Sequence, residues 1–566
     1  MAAFYPWALS LAVAAVYANS FGGIFVFDDY PSILHNPFLR DLSQASHWFT
    51  APTDTTMAGR PLGALSIAIT VWLGGFRTWP FHLGNIALHV INSLLVFGIA
   101  RRLFELADQP LIGGNHRAAF FAALLWAVHP IQTNAVTYII QRAESLMALG
   151  VLLSVYAFLR ANDQTTRHPV SWLMVSLAGS FSGILSKETA VVAPLLILLL
   201  DRAWFRTSFL SAWKARPWFY AGLLASWLML ALLVSGGHRM ESVGFGFDTF
   251  PWWRYLLEQG PIVLTYLKLM FYPSPLIFAA YLRDDTSIGS LLPTALLVAA
   301  LVFASLILYA KRPALGLAPL AFFLILAPTS SILPIITEPY AEHRLYLASF
   351  PLLAFAVWGT ARWAAQATFQ PDRRILALGG MTLAVMLAAL TFLRNSLFHD
   401  AAQLWADVVQ KQPYNSKGWN NLGEAFVARG ELASAEDAFS AAIQAQPENH
   451  IARFNLGVVR AHLGRHEEAI ATYQRALQTK PDFPAAFASA AHSLIQLGRL
   501  EEADYVLAQA LALDPRHPVA LLNLAVVQNT RGETDAARFT VRKLLRHHPN
   551  DTRAQALARA LGISNP

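Results

Sequence analysis

Apolar and polar positions alternate in two different ways along the chain. As far as residue 392 the apolar residues come in long runs, at 7–25, 81–103, 118–135, 146–159, 170–185, 190–200, 218–234, 291–309, 315–327, 345–363 and 375–392. Such runs predict membrane-spanning helices, about eleven of them, several short enough to imply local thinning of the bilayer. The stretch 253–272 carries Arg254, Glu258 and Lys268, which predicts a helix lying in the interface or re-entering from it.

Beyond residue 393 alanine, glutamate, arginine, glutamine and asparagine take over, and a period emerges. Pro413, Pro447, Pro481, Pro515 and Pro549 recur every 34 residues, with Gly430, Gly464, Gly498 and Gly532 between them at the same spacing. Asn421-Leu422-Gly423 returns as Asn455-Leu456-Gly457. A glycine at each helix-turn-helix corner and a proline closing each second helix, at this period, form the tetratricopeptide pattern. Ala435, Ala469, Ala503 and Ala537 fall in phase and let paired helices approach closely; stacked pairs curve into a groove suited to peptides or partner domains. The predicted architecture is all-α: a polytopic membrane domain over 1–393, a connecting helix over 394–413, four repeats over 414–549 and a capping helix over 550–566.

With 55% hydrophobic and only 14% charged residues, the chain lies outside the soluble range. Its net charge of +7 does not point to nucleic acid, because the cations collect between apolar runs, as at Arg101 and Arg102, Arg202 and Arg206, Lys311 and Arg312, and Arg373 and Arg374. Basic loops stay in the cytoplasm. The N-terminus is therefore expected inside and the repeats outside, and the first run, without an Ala-x-Ala-like cleavage site, reads as a retained anchor. Segments 27–79, 129–144, 186–188, 235–259 and 328–345 then share the outer face. The absence of cysteine removes disulfides and thiolate metal sites.

Nearly all the unusual polar residues fall in those outer segments. Asp28 and Asp29 follow the first run, and charge at that depth is usually functional. Beside Phe25, Phe27 and Tyr30 a carboxyl can have its pKa raised by desolvation, as a general base needs; alternatively, an Asp here caps a turn. His82, Asn85 and His89 share one face of the second span, where such groups bond between helices; His82, nearest the outer surface, is the candidate for a headgroup contact. His129 ends one span, Arg142 and Glu144 open the next, and Lys187-Glu188 and Glu342-His343-Arg344 flank others. Singly, such cations snorkel. Together they make a ring suited to phosphate, with arginine giving two-pronged bonds. Nucleophile-elbow, phosphate-loop and zinc signatures are absent from the sequence.

The stretches FVFDDYPSILHNP from Phe25, GRPLGALSIAI from Gly59, FHLGNIALH from Phe81, HPIQTNAVTYIIQRAESLMAL from His129, ILSKETAVVAPLLILLLDRAWFR from Ile184, EHRLYLAS from Glu342 and RNSLFHDAAQLW from Arg394 carry a resemblance. In order and content they resemble the transmembrane and tetratricopeptide-repeat O-mannosyltransferase family, in a bacterial form. The resemblance implies a C-type glycosyltransferase fold in the bacterial inner membrane. Such a protein takes mannose or another hexose from a polyprenyl-phosphate carrier and transfers it, on the periplasmic side, to a Ser or Thr hydroxyl of a protein. It carries the base onto Asp28 and Asp29, the Arg-Ala-Glu motif onto Arg142-Ala143-Glu144 and the Lys-Glu motif onto Lys187-Glu188. The Glu-Arg-x-Leu-Tyr motif falls on residues 342–346 with His343 at the arginine position, so either His343 or Arg344 meets the phosphate. Asn134 stands where animal members have a glutamate and is given no role.

On chemical grounds, Asp28 or Asp29 takes the acceptor's proton and the hydroxyl attacks the anomeric carbon opposite the phosphate, inverting that centre. Arg142, Lys187 and Arg344 stabilise the departing phosphate, with Glu144, Glu188, Glu342 and His129 in support. A phosphomonoester carrier held by a basic ring calls for no metal or other cofactor. The repeats are expected to hold the acceptor close. Two other readings remain open: the same fold acting on a lipid or polysaccharide acceptor, and an inert membrane anchor for a tetratricopeptide scaffold. A transporter is disfavoured because the spans show no internal duplication.

Overall fold

The computed structural model describes residues 4–53, 55–235, 251–281, 287–331, 334–335, 338–367 and 372–563. Much of the expected loop 235–259 and part of 328–345 lie outside them. The chain divides into two compact units, Met1–Ala401 and Ala402–Pro566.

The first unit contains α1 (Phe4–Val16), α2 (Pro61–Gly74), α3 (Thr78–Leu106), α4 (Asn115–Ala127), α5 (Thr133–Val136), α6 (Arg142–Ala161), α7 (Pro169–Ser186), α8 (Ala193–Trp204), α9 (Phe209–Ala215), α10 (Pro217–Ser235), α11 (Trp252–Phe271), α12 (Ile288–Lys311), α13 (Pro313–Leu326), α14 (Leu345–Gln366) and α15 (Arg373–Asn395). Pro61, Pro169, Pro217 and Pro313 each stand at the first position of their helix, where a missing N–H costs nothing and the fixed φ is already helical. Among the described residues seven helices, α3, α6, α7, α10, α12, α14 and α15, are long and apolar enough to cross a membrane. The pair α4 and α5, bent by 50°, makes an eighth if it is one span. The expected eleven are not reached on this measure, because α1, α8 and α13 have only 13, 12 and 14 residues, each short of a bilayer core at about 1.5 Å per residue. One apolar helix, α2, lies where the sequence reading had only an outer loop.

The most enclosed of these helices is α6, and its closest partner is α7. A Cβ on Gly150 would come within 2.5 Å of the Gly183 amide nitrogen, and one on Gly179 within 2.7 Å of the Gly150 carbonyl oxygen. Small residues admit this approach. Ser154 Oγ donates to the Ser176 carbonyl at 2.6 Å and Ser176 Oγ to the Ser154 carbonyl at 2.8 Å. The start of α6 and the end of α7 are thereby fixed side by side.

The helix α11 buries Tyr255, Glu258, Ile262, Tyr266 and Leu269 along one stripe and exposes Trp252, Trp253 and Leu256. It runs across one end of the bundle: Tyr255 Oη donates to Thr329 O at 2.7 Å, Tyr266 Oη to Ala341 O at 2.9 Å, and Met270 O lies 3.2 Å from His129 Nε2. That end, where α3, α6 and α14 begin, is called the polar end below. The opposite end gathers basic groups, with Arg102 pairing Asp163 at 3.5 Å and Arg216 donating to Asn162 at 3.0 Å.

The second unit opens with α16 (Ala401–Lys411) and continues as four helix pairs. These are α17 (Ser416–Ala428) with α18 (Leu432–Ala445), α19 (His450–His462) with α20 (His466–Thr479), α21 (Pro484–Gln496) with α22 (Leu500–Leu513), and α23 (Pro518–Thr530) with α24 (Thr534–His547); α25 (Thr552–Ala560) follows. Gly430, Gly464, Gly498 and Gly532 turn each corner with φ of 75°, 76°, 73° and 83°, a region open to glycine at little cost. The in-phase alanines 435, 469, 503 and 537 are fully buried. Asn415 and Asn449, one period apart, cap α17 and α19 through the amides of Gly418 and Ala452 at 2.8 and 2.9 Å, satisfying donors that a helix start leaves unpaired.

Candidate functional site

The acidic motif sits on a bent loop after α1. Phe27 has a φ of +48°, a left-handed conformation that a bulky residue adopts only where its surroundings hold it. The hold comes largely from Asp29. Its Oδ2 accepts from the Val26 amide and its Oδ1 from the Ile140 amide, each at 2.9 Å, and the side chain is fully buried. Burial raises the Asp29 carboxyl above its ordinary value, against the pull of those two amides. Asp28 is half-buried. Its amide donates to Tyr138 Oη at 3.0 Å, and its Oδ2 lies 3.4 Å from Thr56 Oγ1. The two neighbours are thus unlike: Asp29 ties the loop to the turn before α6, while Asp28 faces outward from that tie.

From Asp28 a polar path leads to the cations. The Thr56 carbonyl accepts from Arg60 Nη1 at 2.9 Å, and Arg60 grips Glu188 with two bonds of 3.1 and 2.8 Å. Next to Glu188, Lys187 Nζ contacts Glu144 Oε2 at 2.5 Å, both side chains buried. This pair exists because the α6–α7 contact brings the two helix ends together. Burial pulls the Lys187 ammonium below its usual pKa, opposed by the charge of Glu144. A narrow cleft of about 10 Å³ opens here, lined by Glu144, Met147, Lys187, Thr189, Ile325, Thr329 and Arg344. Arg344 holds the segment before α14 through the carbonyls of Thr329 at 3.1 Å, Pro339 at 2.9 Å and Glu338, and still borders the cleft. Buried His343 lies within electrostatic reach of Lys187, Arg344 and Arg60.

Four expected phosphate, headgroup or support groups are placed elsewhere. Arg142 does not line the cleft: its Nε donates to Asn85 Oδ1 at 2.6 Å, Nη1 to Ser66 O at 3.0 Å and Thr70 Oγ1 at 2.7 Å, and Nη2 to Phe81 O at 2.7 Å. Its guanidinium also lies over the Phe81 ring at 5.6 Å. It clamps α2 and α3 onto α6 and stands outside the cleft lining where a phosphate ligand was expected. His82, expected at a headgroup, is fully buried beneath the chain at Gly23, where an added Cβ would meet its Nε2 at 2.7 Å. His129 accepts from the Ile131 amide at 3.2 Å and pins the bend between α4 and α5. Glu342 is fully buried between Arg394 at 2.6 Å and the Ile277 amide, joining α14 to the end of α15.

Arg60 and Arg394 were not singled out in the sequence. Arg60 stands directly before a helix-starting proline, an odd place for a cation beside an apolar run, and that was its one signal. Among the described residues no group of three or more His, Asp or Glu is arranged to hold a metal ion.

Residues 58–234 match the family model for dolichyl-phosphate-mannose-protein mannosyltransferases, a span that contains Arg60, Arg142, Glu144, Lys187 and Glu188. Tetratricopeptide-repeat models match residues 386–450, 425–484 and 494–561. One chain thus joins a partial mannosyltransferase match to tetratricopeptide repeats, and the relatives it resembles are named protein O-mannosyl-transferases. Among these relatives, protein O-mannosyl-transferase Tmtc2 of Drosophila melanogaster is 34% identical over 199 residues, covering 33% of this chain and 20% of the fly protein. Protein O-mannosyl-transferase TMTC4 of Homo sapiens is 32% identical over 207 residues, 33% of this chain and 28% of the human one. Protein O-mannosyl-transferase F38B6.6 of Caenorhabditis elegans is 24% identical over 447 residues, 74% of this chain and 59% of the worm protein. The chain thus spans less than two thirds of each relative's length. Among solved structures, TTC0263, a thermophilic tetratricopeptide-repeat protein of Thermus thermophilus, is 18% identical with a TM-score of 0.26, over 34% of this chain and 95% of that one. YrrB, a repeat protein with an unusual peptide-binding site, is 21% identical with a TM-score of 0.25, over 31% of this chain and 89% of that one.

Proposed function

We propose that this chain is a membrane glycosyltransferase that moves a sugar, mannose by analogy with its relatives, from a polyprenyl-phosphate carrier to a hydroxyl of an acceptor protein. The observation that carries the reading is the cleft where Lys187 and Arg344 meet Glu144, joined through Glu188, Arg60 and Thr56 to Asp28. A phosphodiester between sugar and prenol carries one negative charge. It acquires a second as the sugar leaves, and fixed cations in a secluded cleft stabilise that developing charge. Lys187, Arg344 and His343 take this role, while Glu144 holds Lys187 in place.

Asp28 is the proposed general base and Asp29 the residue that aims it. A carboxylate whose two oxygens both receive backbone amides and which is closed to solvent cannot reach an acceptor hydroxyl. Asp28, one residue away and half-buried, can. It takes the hydroxyl proton as the oxygen attacks the anomeric carbon from the face opposite the phosphate, so the centre inverts. The repeats raise the acceptor's local concentration. The polar end then lies on the extracytoplasmic side, the basic end in the cytoplasm.

The test incubates the purified full chain with radiolabelled mannosyl-phosphoryl-polyprenol and candidate acceptor proteins. Label should enter protein with wild type and fail to enter with Asp28→Asn. No transfer from any polyprenyl-phosphate sugar would overturn the reading and leave a tethered repeat scaffold.

A further inference from the structure

Tyr138 stands in the turn between α5 and α6, and its side chain reaches the backbone of Asp28. The turn is pinned from three sides. Asn85 Nδ2 donates to the carbonyls of Val136 and Ile139 at 3.0 and 3.3 Å, Thr137 Oγ1 donates to Asn395 Oδ1 at 2.8 Å, and the Ile140 amide donates to Asp29 at 2.9 Å. The Tyr138 ring is buried edge-on to Phe278, with centroids 5.0 Å apart. Phe278 is in turn edge-on to Phe398 at 5.4 Å and to Phe27 at 6.5 Å. Aromatic packing of this kind holds a ring in one orientation. Its oxygen is therefore fixed at one point, where the Asp28 amide donates to Tyr138 Oη at 3.0 Å.

That bond uses the hydroxyl as an acceptor and leaves its proton over. In Tyr255, Tyr266 and Tyr309 the phenolic proton goes to a backbone carbonyl, at 2.7, 2.9 and 2.8 Å. Tyr138 makes one hydrogen bond among the described residues, the one it accepts. Burial and the carboxylates of Asp28, Asp29 and Glu338 raise its pKa well above the ordinary value, so the proton stays in place. A buried O–H without an acceptor is costly, and the site is complete only when a ligand supplies one. That ligand atom has two tasks: to accept from Tyr138 and to give a proton to the neighbouring Asp28 carboxylate. A phosphate oxygen of the donor has no proton to give and is repelled by Asp28. A hydroxyl, with one proton and two lone pairs, does both.

Resting on the transfer reaction proposed above, we propose that Tyr138 receives the acceptor's hydroxyl, donating a hydrogen bond that holds its oxygen beside Asp28. One lone pair of that oxygen accepts from Tyr138, and the other faces the anomeric carbon. As the new oxygen–carbon bond forms, the hydroxyl proton passes to Asp28. The bond from that carbon to the phosphate oxygen breaks, and its electron pair leaves with the phosphate. Tyr138 keeps its own proton throughout. An acceptor class follows: the site serves an alcohol oxygen, whereas a thiol sulfur, a weak hydrogen-bond acceptor, is poorly held.

The test uses the full chain in nanodiscs with radiolabelled mannosyl-phosphoryl-polyprenol and candidate acceptor proteins. Tyr138→Phe keeps the ring against Phe278 and deletes only the oxygen. Difluorotyrosine in place of Tyr138 keeps the oxygen and makes the phenol more acidic. Elution profile and melting curve report folding. Expected for Tyr138→Phe are an unchanged donor affinity and transfer lowered by at least about tenfold, the worth of one hydrogen bond to the reacting oxygen. With difluorotyrosine, transfer should fail at an alkaline pH where wild type still works, because a phenolate donates no hydrogen bond. Transfer by Tyr138→Phe at the wild-type rate would overturn the proposal. So would a fall in its donor affinity equal to the fall in transfer, which would put Tyr138 on the sugar. Where Tyr138→Phe fails to fold, the difluorotyrosine chain decides, and a pH profile coincident with that of wild type overturns the proposal. No transfer by wild type from any polyprenyl-phosphate sugar would defeat the enzymatic reading and this inference with it. Transfer by wild type that neither variant alters would defeat this inference alone.

Discussion

Arg142 and Lys187 look alike in the sequence, each a cation at a helix end two or fewer residues from a glutamate, yet the fold gives them opposite circumstances. Four acceptors from α2 and α3 surround the Arg142 guanidinium. Lys187 has one carboxylate partner and borders a cleft. A buried cation whose donors meet acceptors fixed in the fold and which borders no opening is architecture, because a ligand phosphate would have to displace bonds already made. A buried cation beside an opening keeps donors for a ligand. A similar contrast separates fully buried Asp29, whose two oxygens accept backbone amides, from half-buried Asp28.

The comparison can be broken or sharpened experimentally. The largest effect is expected for Asp28→Asn, which should lower transfer by roughly 10²–10⁴ without moving the melting temperature, whereas Asp29→Asn, which sets an amide N–H against backbone N–H groups, should reduce the folded yield. Initial rates and fluorescence-detected size exclusion separate the two. Next comes Lys187→Met/Glu144→Gln. Removing the lysine alone would leave a buried carboxylate without a counter-ion, but the double variant is neutral, should fold, and should lose transfer by about 10². Smaller again, Arg142→Lys keeps the charge and loses the planar fork; it should cost about 2 kcal/mol of stability by thermal melting while the rate per folded molecule stays within a fewfold of wild type. Least of all, Gly464→Ala, at a corner with φ of 76°, should cost about 1 kcal/mol and leave transfer by the first unit unchanged.

What could be read from the sequence follows from where the information lies. The repeats were legible because period 34 returns the same corner glycine and the same buried alanine each time. Apolar run length located the long helices, and the amphipathic stripe with its charges set α11 apart from them. Of the three helices that fall short, α1 ends at Val16, inside the run 7–25, whereas the runs 190–200 and 315–327 behind α8 and α13 were already too short to cross at full helical rise. The sites were legible only as a set of residue types. Arg60 meets Glu188 across 128 positions, and the Lys187–Glu144 pair depends on Gly150, Gly179 and Gly183 letting two backbones touch, a match that neither helix announces alone. For the same reason Arg142 and His82 were expected at the headgroup: nothing local records that α2 and the turn at Gly23 cover them.

The central claim is that Lys187 and Arg344 hold the sugar-phosphate on which Asp28 acts. Equilibrium binding of mannosyl-phosphoryl-polyprenol to the full chain in nanodiscs, comparing wild type, Asp28→Asn and Lys187→Met/Glu144→Gln, addresses it most directly. Expected is wild-type affinity for Asp28→Asn and a loss of at least tenfold for the folded double variant. Donor binding by that double variant at wild-type strength would contradict the account.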